Sequence, residues 1–127
     1  MWLPGEWIYP VDESNHRGLK AVDRHYLVIY CTCPDQVVAE RIATALVSER
    51  LAACVNIVPG ITSIYRWQGS VHSDPELLLI IKSRGDVYPA LEARIRALHA
   101  YEVPEIIALP IIAGNEEYLK WLDSACL

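Results

Sequence analysis

The sequence predicts an α+β fold of order βαββαβ, with a long central hairpin and a closing helix. Three observations predict it. A β-rich, almost wholly apolar run at Tyr26–Cys31 leads into residues with helical periodicity. Two long β-rich stretches flank a Gln68-Gly69-Ser70 turn signal. A second helical period then leads to another apolar run and a short last helix. The 127 residues fit one domain of ordinary size. Residues 1–24 read as an amino-terminal extension and 25–127 as the folded domain.

Each element has its own signal. In the extension Pro4, Gly5, Pro10, Asn15 and Gly18 break any period, while Trp2, Trp7, Ile8 and Tyr9 are too apolar for a solvated tail. That arm either docks on a neighbour or is a start-site feature. Tyr26-Leu27-Val28-Ile29-Tyr30-Cys31 has the composition of a central strand. Pro34 and Asp35 suit the start of a helix, in which Val38, Ile42, Ala45 and Leu46 share one face to about Leu51. The hairpin arms run from Cys54 to Trp67 and from Val71 to Ser83, with bulges or edge positions expected at Pro59-Gly60 and Asp74-Pro75.

Arms of about 13 residues reach roughly 40 Å, whereas a domain of this length has a radius of gyration near 14 Å. The hairpin tip therefore overhangs its own domain and calls for a partner. Asp86 is placed to cap a second helix with Val87, Leu91, Ile95 and Leu98 on one face and a Glu92–Arg96 pair outside. The apolar strand Ile106 to Ile112 contains Pro110, which marks an edge or bulge. Glu116 and Glu117 open the last helix, with Tyr118, Leu119 and Leu122. This order is the ferredoxin-like split βαβ with an added helix.

Composition excludes several functions. A net charge of −5 argues against nucleic acid, whose binding rests on Lys and Arg neutralising phosphates, and against an anionic membrane surface. No apolar run approaches the roughly 18 residues of a membrane span, and Met1–Glu6 lacks the basic start and apolar core of a signal peptide. A cytoplasmic protein is expected, with its four cysteines as free thiols. Its 53% hydrophobic content exceeds the usual level, so some apolar surface is expected to meet other subunits.

Copper chemistry draws on thiolate and imidazole donors. Cys31 and Cys33 project from one face of an extended strand. Cys54 opens the next strand and is expected near them, though a buried small hydrophobe explains it as well. His99 ends the second helix, and with Tyr101 and Glu105 it brings imidazole, phenol and carboxylate within seven residues. A capping histidine and a glutamate paired with Lys82 or an arginine is the plainer reading. His16, His25 and His72 read as surface residues.

Five stretches of this sequence stand together in order: Cys31-Thr32 with Pro34-Asp35; Leu51-Ala52-Ala53-Cys54-Val55-Asn56; Ser63-Ile64-Tyr65-Arg66-Trp67-Gln68-Gly69; Lys82-Ser83; and His99-Ala100-Tyr101-Glu102-Val103-Pro104-Glu105. With Tyr118-Leu119-Lys120-Trp121 they make the chain resemble the CutA family, named for tolerance to divalent cations, over about residues 27–122. The resemblance implies a stable, non-enzymatic homotrimer whose long hairpins wrap neighbouring subunits. It also implies binding of copper or another divalent cation, none of them essential, in clefts between subunits. Carried onto this chain, Cys31 and Cys54 would form a soft site and His99 with Glu105 a second. Asn56, Tyr65, Trp67, Lys82 and Tyr101 would line the cleft. This chain departs from the family in carrying Ala100 where proline is usual, and Leu98 where some metal-associated members carry a second histidine. The alternative is a small-molecule module like the trimeric PII signalling proteins, but no glycine-rich phosphate loop is present. A hydrolase lacks an evident nucleophile.

Overall fold

A computed structural model describes residues 26–127; the expected 1–24 extension, with His16, and His25 lie outside the described residues. Strand β1 is Tyr26–Cys33, helix α1 Gln36–Ser48, β2 Cys54–Trp67 and β3 Ser70–Arg84. A 3₁₀ turn at Gly85–Val87 leads to α2 (Tyr88–Leu98), then β4 (Ile106–Pro110) and α3 (Glu116–Ala125). The strands form one antiparallel sheet in the order β2-β3-β1-β4.

Strand β1 pairs with β3 on one side and β4 on the other, as its apolar composition predicts. Its alternate residues Leu27, Ile29, Cys31 and Cys33 are fully buried. They pack with Leu79 and Ile81 of β3 under Val38, Ala39, Ile42 and Leu46 of α1 and Leu91 and Ile95 of α2. Helices α1 and α2 therefore cover the odd-numbered face of β1. The other face carries Val28, Tyr30, Leu78 and Ile80, half-buried, and at its β4 edge Ile107 and Leu109, which are exposed.

Asp35 stands at the N-cap of α1, its Oδ1 accepting from the Val38 N–H at 2.9 Å. The helix ends at Ser48 rather than Leu51 because the chain turns there. Arg50 takes a left-handed φ of 61°, its N–H donates to the Val47 carbonyl, and the Leu51 N–H donates to the Leu46 carbonyl. This is the Schellman geometry, which usually takes glycine. Here arginine occupies it, and its side chain donates to the carbonyls of Ser124, Cys126 and Ala125 at the open end of α3. Arg84 adds to that closure, donating to the carbonyls of Asp123 and Leu127.

The hairpin turns on Gln68 and Gly69, both at positive φ, which is the turn that matches strand twist. Proline does not interrupt either arm. The irregularity at Pro59-Gly60 is a register shift between Val58 and Ile61, and Pro75 pairs with Thr62 beyond the reach of β1. Pairing of β1 with β3 ends at Cys33↔Leu77, while the hairpin continues for seven more pairs, from Ile61↔Glu76 to Trp67↔Ser70. That overhang is about 20 Å long.

Three local expectations are corrected. Asp86 does not cap α2; its carboxylate pairs with Arg84 at 2.6 Å, because the 3₁₀ turn places it before the helix. Glu92 accepts from the Tyr88 hydroxyl at 2.9 Å in place of an ion pair with Arg96. The last strand stops at Pro110, where its pairing with Leu27 ends, so it stops short of Ile112. A prediction follows for Arg50. Arg50→Ala loses the three carbonyl contacts and keeps the unfavourable backbone, whereas Arg50→Gly relieves it. The alanine variant should be less stable than the glycine variant by about 1 kcal/mol. Urea unfolding of both would show it, and equal midpoints would refute the assignment.

Candidate metal corner

The cysteines of β1 point inward because alternate strand residues share a face, and both are fully buried. Helix α2 is followed by His99 as its C-cap, whose N–H donates to the Ile95 carbonyl at 2.8 Å. From there the imidazole crosses to the end of β1. Cys31, Cys33 and His99 bring their ligand atoms within 4.8 Å of one another.

Both nitrogens of His99 are engaged. Nε2 lies 2.8 Å from the Thr32 carbonyl oxygen, and Nδ1 accepts from the Tyr101 N–H at 3.0 Å. A carbonyl only accepts and an amide N–H only donates, so Nε2 takes the donor role and Nδ1 the acceptor role in this arrangement. The rings of His99 and Tyr101 lie 4.8 Å apart, tilted by 39°. The Tyr101 hydroxyl donates to Oε2 of Glu76 at 2.8 Å, and Glu76 is 92% removed from solvent (relative exposure 8%). Burial, then this bond, holds the Tyr101 phenol above its ordinary 10.0.

The two thiols act as one titrating pair. Their mutual hydrogen bond, followed by burial and the charges of Glu105 and Glu76, raises Cys31. The same bond lowers Cys33 against the opposing effects of burial, Glu76 and Asp35. The pair therefore gives up one proton far more readily than two.

The predicted residues distribute unequally. Cys31 and His99 meet, and Cys33 joins them although the soft-site expectation had chosen Cys54. Cys54 is not beside Cys31. Strand β2 pairs with β3, not β1, and Cys54 stands opposite Lys82, on the sheet face away from the buried thiols. Glu105 is exposed and outside the triad, and reaches Cys31 through its charge. The cleft residues occupy three places. Lys82 donates to Oδ1 of Asn56 on the open sheet face. Tyr65 sits on the overhang, bonded to Asp74 at 2.5 Å and stacked on exposed His72. Tyr101 is at the metal corner. Trp67, half exposed, faces Ser70, twelve residues along β3 from Lys82, a span of roughly 40 Å. One chain cannot bring Trp67 and Lys82 into a single cleft. Cys33 was legible in principle, since Cys-x-Cys on a strand puts both sulfurs on one face; Glu76 carried no local signal.

The comparisons agree on one relationship. The family model described as CutA1 divalent ion tolerance protein matches residues 27–125. A divalent-cation tolerance protein CutA of Thermus thermophilus is 62% identical over 95 residues, covering 75% of this chain and 92% of that protein. The human protein CutA is 50% identical over 93 residues, 73% of this chain and 52% of its own length. The chain thus spans about half of that relative. The crystal structure of CutA1 from Oryza sativa superposes with a TM-score of 0.80 at 48% identity, covering 84% of this chain and 97% of the other. A CutA from Archaeoglobus fulgidus described as periplasmic gives 0.77 at 39% identity, over 79% and 97%.

Tyr101→Phe tests the Glu76 contact. Removing the hydroxyl leaves a buried carboxylate one donor short and should cost about 1 kcal/mol at neutral pH. The folded state holds the phenol's proton more tightly than the unfolded chain does. Its contribution is therefore complete below pH 10.0 and declines as pH rises further. The stability gap between wild type and variant should narrow in that range; a gap independent of pH would refute the assignment.

Proposed function

Because this chain belongs to the family of CutA1 divalent ion tolerance proteins, we propose that it is a non-enzymatic homotrimer that takes up a divalent cation of the copper type. The observation that carries the metal reading is the convergence of Cys31, Cys33 and His99 within 4.8 Å. These are the soft and intermediate donors that copper prefers. Ligation by His99 requires one ring nitrogen to give up its hydrogen bond, to Thr32 or to Tyr101, and His99 lies beyond the last residue of its helix. Glu76 and Glu105 add negative charge that acts on the same pair.

Two features support the trimer and the ferredoxin-like reading of the sheet order. The overhang leaves Ile64, Val71, Trp67 and Tyr65 exposed, and such an exposed apolar surface calls for a partner. The sheet face opposite α1 and α2 is apolar and open at Ile107 and Leu109. Packing three such faces together would cover both. Trp67 and Tyr65 of one subunit would then meet Asn56 and Lys82 of another, which is how an intersubunit cleft would form from residues too far apart in one chain. A reducing compartment such as the cytoplasm suits the free thiols; no helix among the described residues is long and apolar enough to cross a membrane.

Light scattering at micromolar concentration should return three times the chain mass, and a monomer would contradict the assembly. Calorimetry of the reduced protein should show up to one Cu(II) per chain. Cys31→Ala and His99→Ala should each weaken it by about tenfold or more. Absence of any copper heat would overturn the metal reading.

A further inference from the structure

We propose that the Cys31–Cys33 pair is a two-thiolate site for a soft d¹⁰ cation that accepts two ligands, Cu(I) or a mercury-type dication, and that Cys33 is its deciding residue. This rests on the reading of the same corner given above and narrows the class of ion. Three observations lead to it.

The first is spacing. Strand pairing fixes both cysteines, Cys31 between Leu79 and Ile106 and Cys33 opposite Leu77. Their sulfurs lie within 4.8 Å of each other, close enough for one ion with metal–sulfur bonds of about 2.3 Å to be held by both. The second is donor number. Both His99 nitrogens hold hydrogen bonds of about 3 Å, to Thr32 and Tyr101, whereas the Cys31 thiol reaches the Thr32 carbonyl only at 3.8 Å, so the two sulfurs are the donors released at least cost. Zinc in protein sites takes four ligands, whereas soft cations such as Cu(I) favour thiolates and are satisfied by two.

The third is the surroundings. Both cysteines belong to the apolar cluster of Leu79, Ile42 and Leu91, which offers little room for the waters a harder ion would keep. The carboxylates of Asp35, Glu76 and Glu105 act on the pair through their charge. They favour arriving positive charge, and a dication on two thiolates leaves no net charge among them. Cu(I) leaves one negative charge, so of the two the mercury-type ion should bind the more strongly. On binding, the cation replaces the two thiol protons, which pass to solvent; no electron is transferred.

The test uses the full-length reduced protein under anaerobic conditions. Cu(I) is titrated against a chromophoric chelator, Hg(II) against a competing small thiol, and Zn(II) against a zinc indicator. The expected result is one Cu(I) or Hg(II) per chain with thiolate charge-transfer absorption. Cys33→Ser should lower these affinities by about 100-fold or more, with Zn(II) weak and indifferent to the substitution. His99→Ala, which should weaken Cu(II), should leave the soft-ion affinities within a few-fold. Cys33→Ala serves as a second variant if the serine at this buried position disturbs folding, as circular dichroism would reveal. Soft-ion affinity unchanged in both variants would overturn the proposal, as would Zn(II) binding as tightly with the same dependence on Cys33. If Cu(II) binding persists through His99 while the Cys33 variants behave as wild type, the two-thiolate site fails and the divalent reading stands. If no copper of either state binds, both fail.

Discussion

Strand β1 is hydrogen-bonded on both sides, and the rest of the structure depends on that confinement. A strand held by β3 and β4 cannot slip by one residue without turning its whole inner face outward. Leu27 and Ile29 therefore anchor the core, and Cys31 and Cys33 must follow them inside. The strand's end is equally constrained. Pairing with β4 stops at Cys31↔Ile106, so the Thr32 carbonyl beyond it needs another donor, and His99 supplies one. The corner is thus a by-product of where a ladder stops. Backbone accounting, more than any motif, brings the imidazole to the thiols.

The same end of β1 also sets the hairpin free. Once Cys33↔Leu77 is passed, β3 has only β2 beside it among the described residues. A two-stranded ribbon is at best marginally stable in water, and this one carries exposed Ile64 and Val71 near its tip. The inner turn geometry and the Tyr65–Asp74 bond hold the two arms in register but bury little. What the ribbon lacks is a surface to lie on, and the open face of a second sheet has the matching apolar character.

Much of this was readable in the residues, for identifiable reasons. Element order, strand limits near Tyr26 and Trp67, and the buried faces of α1 and α2 follow from periodicity, which is a local property. The turn at Gln68-Gly69 follows from backbone chemistry. Failures occurred where a side chain had competing partners. Asp86 and Glu92 had the right spacing for a cap and an ion pair, but Arg84 and Tyr88 reached them first. Cys54 failed for a topological reason. Adjacency in sequence suggested adjacency to β1, yet the hairpin partner β3 inserts between them. Cys33 lies on the same strand face as Cys31 by simple alternation, so its place beside that thiol is legible from the strand alone. Glu76 became a buried partner only through the return of the 99–105 segment, which no local pattern announces.

The position of Glu76 links the two halves of this account. It is the first hairpin residue beyond the reach of β1, opposite Ile61, and it accepts the hydroxyl of Tyr101. Tyr101 in turn donates its N–H to His99 and lies against that ring. The root of the overhang and the cover of the thiol pair are therefore joined through one tyrosine. A neighbour gripping the hairpin would stiffen Glu76, Tyr101 and His99 together, while a free hairpin would leave the cover to fluctuate with its root. In a trimer built on this ribbon, assembly and access to the thiols would be governed by the same contact.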